Sequence, residues 1–247
     1  MRQPRQTTPT EYPLREPPRA AIAADEALLE AVAADGRPQL RCYVVCSPAL
    51  VLGLGLRTRR AEIVDTAACQ MAGVEVIERR AGGGVVLLND GMLCFTVCIP
   101  ASRAVADLTE SYRWLGEHFA ARIPQSHRVE IAEARADVAE LKQRWVDPVA
   151  RLLLTTCYGA LSPHEVAVGA AKVVGLAQVR RQHAALFQIG VLLRDQSGLA
   201  DFLRVPDQPT RESFRAALHQ RSTGLADLLR PLPHLPELAR SLSPTLD

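Results

Sequence analysis

EVAVGAAKVVGLAQVRRQHAALFQIGVLL, residues 165–193, consists of three apolar, β-rich runs broken by a Gly-Ala turn and an Arg-Arg-Gln turn, the pattern of successive strands. Working outward, ERRAGGGVVLLNDGMLCFTV (78–97) carries two more apolar runs, and VEVIERR (74–80) alternates like a strand. RCYVVC and ALVLGLGL, on either side of Ser47-Pro48, read as two buried strands joined by a tight connection. Helical stretches lie between these runs. Residues 20–34 place Ile22, Leu28, Leu29 and Val32 near one face, and Gly36 stops that helix before Pro38. Residues 59–72, 106–123 and 132–145 also read as helical, and the last fifty residues as short helices and proline-punctuated loops. Strand runs interleaved irregularly with helices predict an α+β fold, with a mixed, largely antiparallel sheet flanked by helices rather than a regular βαβ winding. Residues 1–18, with five prolines in a short polar stretch, read as a flexible tail. Residues 19–247 are expected to form a single domain, since one core serves up to roughly 250 to 300 residues.

A chain that is 48% hydrophobic and 23% charged is an ordinary globular one. Lys142 and Lys172 are its only lysines; the rest of its 29 basic residues are arginine. The net charge of +2 comes from the first 19 residues, where Arg2, Arg5, Arg15 and Arg19 outweigh Glu11 and Glu16. The remainder is balanced, which argues against a broad nucleic-acid footprint. The N-terminus has no apolar secretory core and no run is long enough to span a membrane, so a cytoplasmic protein without a membrane partner is expected. The six cysteines, Cys42, Cys46, Cys69, Cys94, Cys98 and Cys157, lack ligand spacing and read as free thiols. His118, His127, His183, His219 and His234 show no metal spacing either.

Two segments carry chemistry. In the first, Arg79-Arg80-Ala81-Gly82-Gly83-Gly84 joins two strands, which is not the strand-to-helix context of a dinucleotide fingerprint. Glycines let a ligand approach the backbone amides, and an arginine adds a clamp for carboxylate or phosphate. The blander reading is a hairpin turn with two solvated arginines. In the second, Lys172 follows Gly169-Ala170-Ala171, where its ammonium can stabilise developing negative charge; the alternative is an exposed strand-end lysine.

Taken in order, these segments resemble the biotin/lipoate A/B protein ligase family, specifically its lipoate-protein ligases and octanoyltransferases. That family has Arg-Arg-x-Ser/Thr before a glycine pair or triplet, and later a Gly-Arg-Lys-(aliphatic)2-Gly-Ser-Ala-Gln strand. Here these are residues 79–84 and Ala170-Ala171-Lys172-Val173-Val174-Gly175-Leu176-Ala177-Gln178. Asp25-Glu26-Ala27-Leu28-Leu29 resembles part of the family's opening helix, and STGLADLL (222–229) its ending.

The resemblance implies a fold akin to the catalytic domain of biotin ligase and class II synthetases, with an acyl tunnel. It implies that Lys172 contacts the activated acyl group, and that Arg79, Arg80, Gly82, Gly83, Gly84, Gly175 and Ala177 line the substrate or nucleotide pocket. The final nucleophile is then a lysine of the acceptor, an apo lipoyl domain or a glycine-cleavage H-type protein. One octanoyltransferase branch has a cysteine 15 residues before the loop lysine, as Cys157 stands before Lys172. A thiol near an ammonium is favoured as thiolate and can carry the acyl group as a thioester.

Three readings follow: a ligase using ATP and lipoate, a transferase using an octanoyl-carrier protein and Cys157, and a non-catalytic acyl-binding member. None requires a tightly bound cofactor or a metal. The short stretch after the core modestly favours the transferase, or a ligase with a separate accessory subunit. His164 is a candidate base for Cys157, against the reading of a solvated loop histidine. The departures are that Val85 replaces a small residue, Leu88 or Asn89 and Ile189 fall where the family has histidine, Leu176 replaces serine, and Glu165 lies near an acidic position of the ligases.

Overall fold

The computed structural model describes residues 12–123, 129–132 and 136–246. Residues 1–11 of the expected tail, His127, and residues 133–135 of the expected fourth helix lie outside the described residues.

The N-terminal half comprises β1 (Leu14–Glu16), α1 (Pro18–Asp35), β2 (Gln39–Val45), β3 (Ala49–Leu52), α2 (Arg60–Ile63), α3 (Thr66–Met71), β4 (Glu75–Glu78), β5 (Val85–Leu88) and β6 (Met92–Pro100). Then come α4 (Arg113–Ala120), β7 (Val129–Ile131), α5 (Ala136–Gln143), α6 (Pro148–Thr155), β8 (Val166–Val168), β9 (Ala171–Arg180), β10 (Ala184–Leu192), α7 (Gln208–Arg221), α8 (Leu225–Leu228) and α9 (Leu235–Leu242). The strands form a seven-stranded sheet in the order β1-β2-β6-β10-β9-β8-β7 and a three-stranded sheet in the order β4-β3-β5. Among the strand pairs of the described residues, only β1 with β2 and β3 with β4 run parallel. The architecture is therefore the expected α+β, largely antiparallel and flanked by helices.

The strands read at 165–193 are β8, β9 and β10, with β10 paired to β9 on one side and β6 on the other. As expected, α1 ends at Gly36, whose φ of 69° lets its N–H donate to the Val32 carbonyl.

Three expectations need correction. Leu14–Glu16 belong to the sheet rather than to a tail, because β1 pairs with β2 and the Arg41 guanidinium bonds the Glu16 carboxylate. The 59–72 helix is broken, since Val64 is extended and Asp65 caps a new helix by accepting from the Ala68 N–H at 3.0 Å. The glycine triplet does not close a hairpin: β4 and β5 lie on opposite sides of β3. β2 and β3 are the two buried strands with a short connection that were expected, and they enter different sheets.

Both sheets are covered on both faces, which explains the nearly continuous apolar runs. One face of the large sheet packs Phe95, Val97 and Phe187 against Leu115 and Phe119 of α4 and Leu238 and Leu242 of α9. The outer face of the small sheet packs Leu50, Leu52 and Leu87 against Leu153 of α6 and Phe214 and Leu218 of α7. Between the sheets, the alternate residues Tyr43, Val51, Val86, Leu88, Met92 and Cys94 face one another. That middle layer contains the cavity.

Candidate active site

A cavity of about 460 Å³ lies in this middle layer, lined on its apolar walls by Val51, Val86, Leu88, Met92 and Ile189. Its polar lining includes Arg79, Cys157, Glu165 and Gln188. Leu88, one of the two residues that fall where the family resemblance calls for histidine, adds an apolar side chain to the wall, whereas Ile189 borders the cavity from β10 with its side chain packed beside Phe95 and Phe187 in the core on the other face of the sheet. Asn89 takes no part in the site; its side chain accepts the Gly91 N–H at 2.8 Å in the turn before β6.

The glycine loop forms one wall. A β-carbon on Gly53 would collide with the Gly83 carbonyl, and one on Gly84 with the Thr155 carbonyl. The triplet thus lets backbone pass between the end of β3 and the end of α6, with Gly83 at φ 95°. Gly83 and Gly84 line the cavity together with Gly175 and Ala177 of β9.

The two arginines diverge. The Arg79 N–H donates to the Leu52 carbonyl at 2.9 Å, and its guanidinium turns inward, 8% exposed. Arg79 Nη2 donates to the Gly82 carbonyl at 2.9 Å and to Cys157 Sγ at 3.3 Å. Arg80 instead pairs with Glu26 of α1, through its N–H at 2.8 Å and its guanidinium at 3.1 Å, and does not line the cavity. Its expected place in the pocket is corrected accordingly.

Cys157 follows the C-terminus of α6 and is half-buried. Its thiol donates to the Gly84 carbonyl at 3.1 Å, and its N–H to the Val85 carbonyl at 2.9 Å. His164, the candidate base, faces Glu110 at 3.4 Å and is buried, so it is neither the partner of Cys157 nor a solvated loop histidine.

Lys172 is 1% exposed within β9, beside a register shift in the β8–β9 pairing. Its Nζ donates to the Cys157 carbonyl at 2.6 Å and meets Glu165 Oε2 at 2.6 Å. It therefore lies behind the cavity wall rather than in it, and it touches the backbone of Cys157, not the thiol. Glu165 also accepts the N–H groups of Ser162 and Leu176, at 2.6 and 3.2 Å. Burial pushes its carboxyl above the usual range, while Lys172 pulls the other way.

Two features escaped sequence reasoning. Tyr158, next to the thiol, donates to the Gly190 carbonyl at 2.8 Å. A β-carbon on Gly175 would stand 3.0 Å from its ring, and one on Gly190 2.5 Å from its hydroxyl. The signal was present in the sequence as an aromatic residue beside the cysteine and two glycines on strands. The second is Asp25, fully buried, which accepts from Arg41, from Tyr43 OH at 2.9 Å and from Gln188 Nε2 at 3.1 Å. It braces α1 against the large sheet beside the cavity.

The model of the lipoyl protein ligase A/B catalytic domain matches residues 17–246. The chain belongs to that family. Lipoyl protein ligase A/B relatives include the octanoyltransferase LipM of Carboxydothermus hydrogenoformans, 30% identical over 83% of this chain and 72% of its own length. LipM of Exiguobacterium sibiricum is 30% identical over 87% of this chain and 76% of its own. Among solved structures, a bipartite lipoate protein ligase from Thermoplasma acidophilum, determined with its E2 lipoyl domain, superimposes with a TM-score of 0.71 at 22% identity over 93% of this chain and 78% of that one. A lipoate-protein ligase A bound with ATP gives a TM-score of 0.67 at 21% identity over 93% and 80%. The expected family and fold are those found, and the chain is a member of an acyl-transferring enzyme family. Among the described residues no cluster of side chains is arranged to hold a metal, and no helix is long and apolar enough to cross a membrane.

Proposed function

We propose that this protein transfers an octanoyl or lipoyl group to a lysine of a lipoyl-domain or H-type acceptor, carrying it as a thioester on Cys157. The observation that carries this reading is the Cys157 thiol set in the wall of an apolar cavity, 3.3 Å from a buried guanidinium. The acyl tail of an octanoyl-carrier protein enters between the two sheets. Cys157 sulfur attacks the thioester carbonyl; the new C–S bond forms as the donor's breaks, and the donor leaves as a thiol with the proton that Cys157 gave up. The acceptor amine then attacks the Cys157 thioester, the amide forms, and the sulfur recovers a proton from the amine. Holding the acyl group in an apolar cavity beside the thiol supplies the proximity both steps need.

In this scheme Lys172 is a positioning residue. With Glu165 it holds the Cys157 carbonyl from behind the wall and so fixes the direction of the thiol. No ATP enters the route.

The test is the mass of an apo lipoyl domain after incubation with the protein and either octanoyl-carrier protein or lipoate plus ATP. The reading expects octanoylation in the first mixture, a trapped acyl adduct on Cys157, and loss of both in Cys157→Ser. Modification only with lipoate and ATP, or full octanoyl transfer by Cys157→Ser, would overturn it. An unmodified acceptor in both mixtures would leave a non-catalytic acyl-binding protein.

A further inference from the structure

Lys142 takes no part in the route through Cys157, yet it stands beside it. It lies on α5, whose Leu141 is buried in the cluster that holds Leu153 of α6 and Phe214 of α7. That burial fixes the roll of the helix. Val138, Lys142 and Trp145, spaced four and three residues apart, then come to the cavity that also holds Gly83, Gly84 and Cys157. Lys142 and Trp145 are exposed, which puts them at the mouth of the cavity rather than on its floor.

The acidic neighbours of Lys142 are engaged elsewhere. Arg144 pairs with Asp147 at 2.7 Å and with Glu140 at 4.0 Å, and no carboxylate pairs with Lys142 among the described residues. Its amine rides on a flexible stem with no ion pair to hold it away from the mouth. Lys172 is the opposite case, buried and bound to Glu165 and the Cys157 carbonyl. The other basic residues are arginines, whose guanidinium stays protonated and does not attack a thioester. Lys142 is thus the lysine of this chain that stands where the acceptor's lysine must arrive.

Resting on the thioester reading above, we infer that Lys142 is an internal acyl acceptor: with no acceptor domain present, the octanoyl group moves from Cys157 to Lys142 Nζ. The neutral amine attacks the thioester carbonyl; the C–N bond forms, the C–S bond breaks, and the sulfur recovers its proton from the nitrogen. Because donor and acceptor atoms belong to one chain, the step needs no encounter. The product is an amide, which a thiol does not cleave. Self-acylation is therefore a one-way closure that leaves an eight-carbon tail tethered at the mouth, and a protein charged faster than its acceptor arrives inactivates itself.

The experiment incubates the purified chain with octanoyl-carrier protein and no acceptor, then adds hydroxylamine, which releases a thioester and spares an amide. Peptide mass spectrometry maps the octanoyl group that remains. Trypsin does not cut after an acylated lysine, so the modified peptide runs from Ala136 to Arg144. The expected result is a hydroxylamine-resistant octanoyl group on Lys142, absent from Cys157→Ala and suppressed when apo lipoyl domain is supplied with the donor. Octanoyl transfer measured after this pre-incubation should be lost in proportion to the modified fraction, whereas Lys142→Arg should keep its own starting rate through the same treatment. An unmodified Lys142 in a chain whose Cys157 carries octanoate and passes it to added acceptor overturns the inference and leaves the thioester reading intact. Modification that persists in Cys157→Ala, or that falls equally on the chain's α-amino group, is direct acylation by the donor and overturns it too. Absence of octanoate from both Cys157 and the acceptor is instead the failure of the thioester reading, and the inference falls with it.

Discussion

At the residue scale the site is a division of labour between two cations that look interchangeable in sequence. The Arg79 guanidinium faces the sulfur with no carboxylate partner among the described residues, whereas Lys172 is paired with Glu165. Removing one partner of such a buried pair strands the other, so Glu165→Gln should destabilise the fold by about 3–5 kcal/mol. The double variant Glu165→Leu/Lys172→Met should cost clearly less than the two single changes added together, which denaturant titration measures. How much of this was legible depends on the residue. The 15-residue spacing from Cys157 to Lys172 correctly brought the two together, because a strand and its preceding loop fold back locally. That the lysine meets the carbonyl rather than the thiol was not legible, since both atoms belong to the same residue. Nor was the choice between Arg79 and Arg80: adjacent residues at a strand end point to opposite sides, and which side is inward is set by the pairing of β4 with β3.

At the element scale, helix ends obey local chemistry. Gly36 and the stop of α1 were readable because an αL cap depends on one residue. The break at Asp65 was missed because helix propensity on either side masked an N-cap in the middle. Another cap offers a pH test. Asp207 caps the start of α7, and its hydrogen bonds with the Thr210 side chain and with the Thr210 N–H, the latter at 2.8 Å, lower its carboxyl below the usual range. For a carboxyl depressed in the folded state, the stabilisation is fully present above the unfolded value, about 4, and is lost as pH falls through the lower folded value. Asp207→Ala should therefore melt below the wild-type chain at pH 7, with the gap closing as the pH drops below about 4. A gap that stays constant across that range would show that the carboxylate is not the capping form.

At the scale of the whole molecule, the second sheet was hidden for a physical reason. Strands buried on both faces read as uniform apolar runs, so nothing local reports that Tyr43 and Val51 belong to different sheets facing one another. The cavity between them is consequently a property of assembly, and no single motif encodes it. Its width should govern which acyl chain fits. Val86 of β5 projects into the gap, so Val86→Trp should lower kcat/KM for an octanoyl donor by about tenfold or more, while a butanoyl donor is largely spared. Competition between the two donors in one tube reads that ratio directly. The same gap has a consequence for heat. A hollow left in the middle layer is unfinished core, and whatever fills it contributes folding free energy as well as chemistry. Charging Cys157 with an eight-carbon chain should raise the melting temperature, and delivery to the acceptor should return it to the starting value, so a thermometer alone would track each turnover.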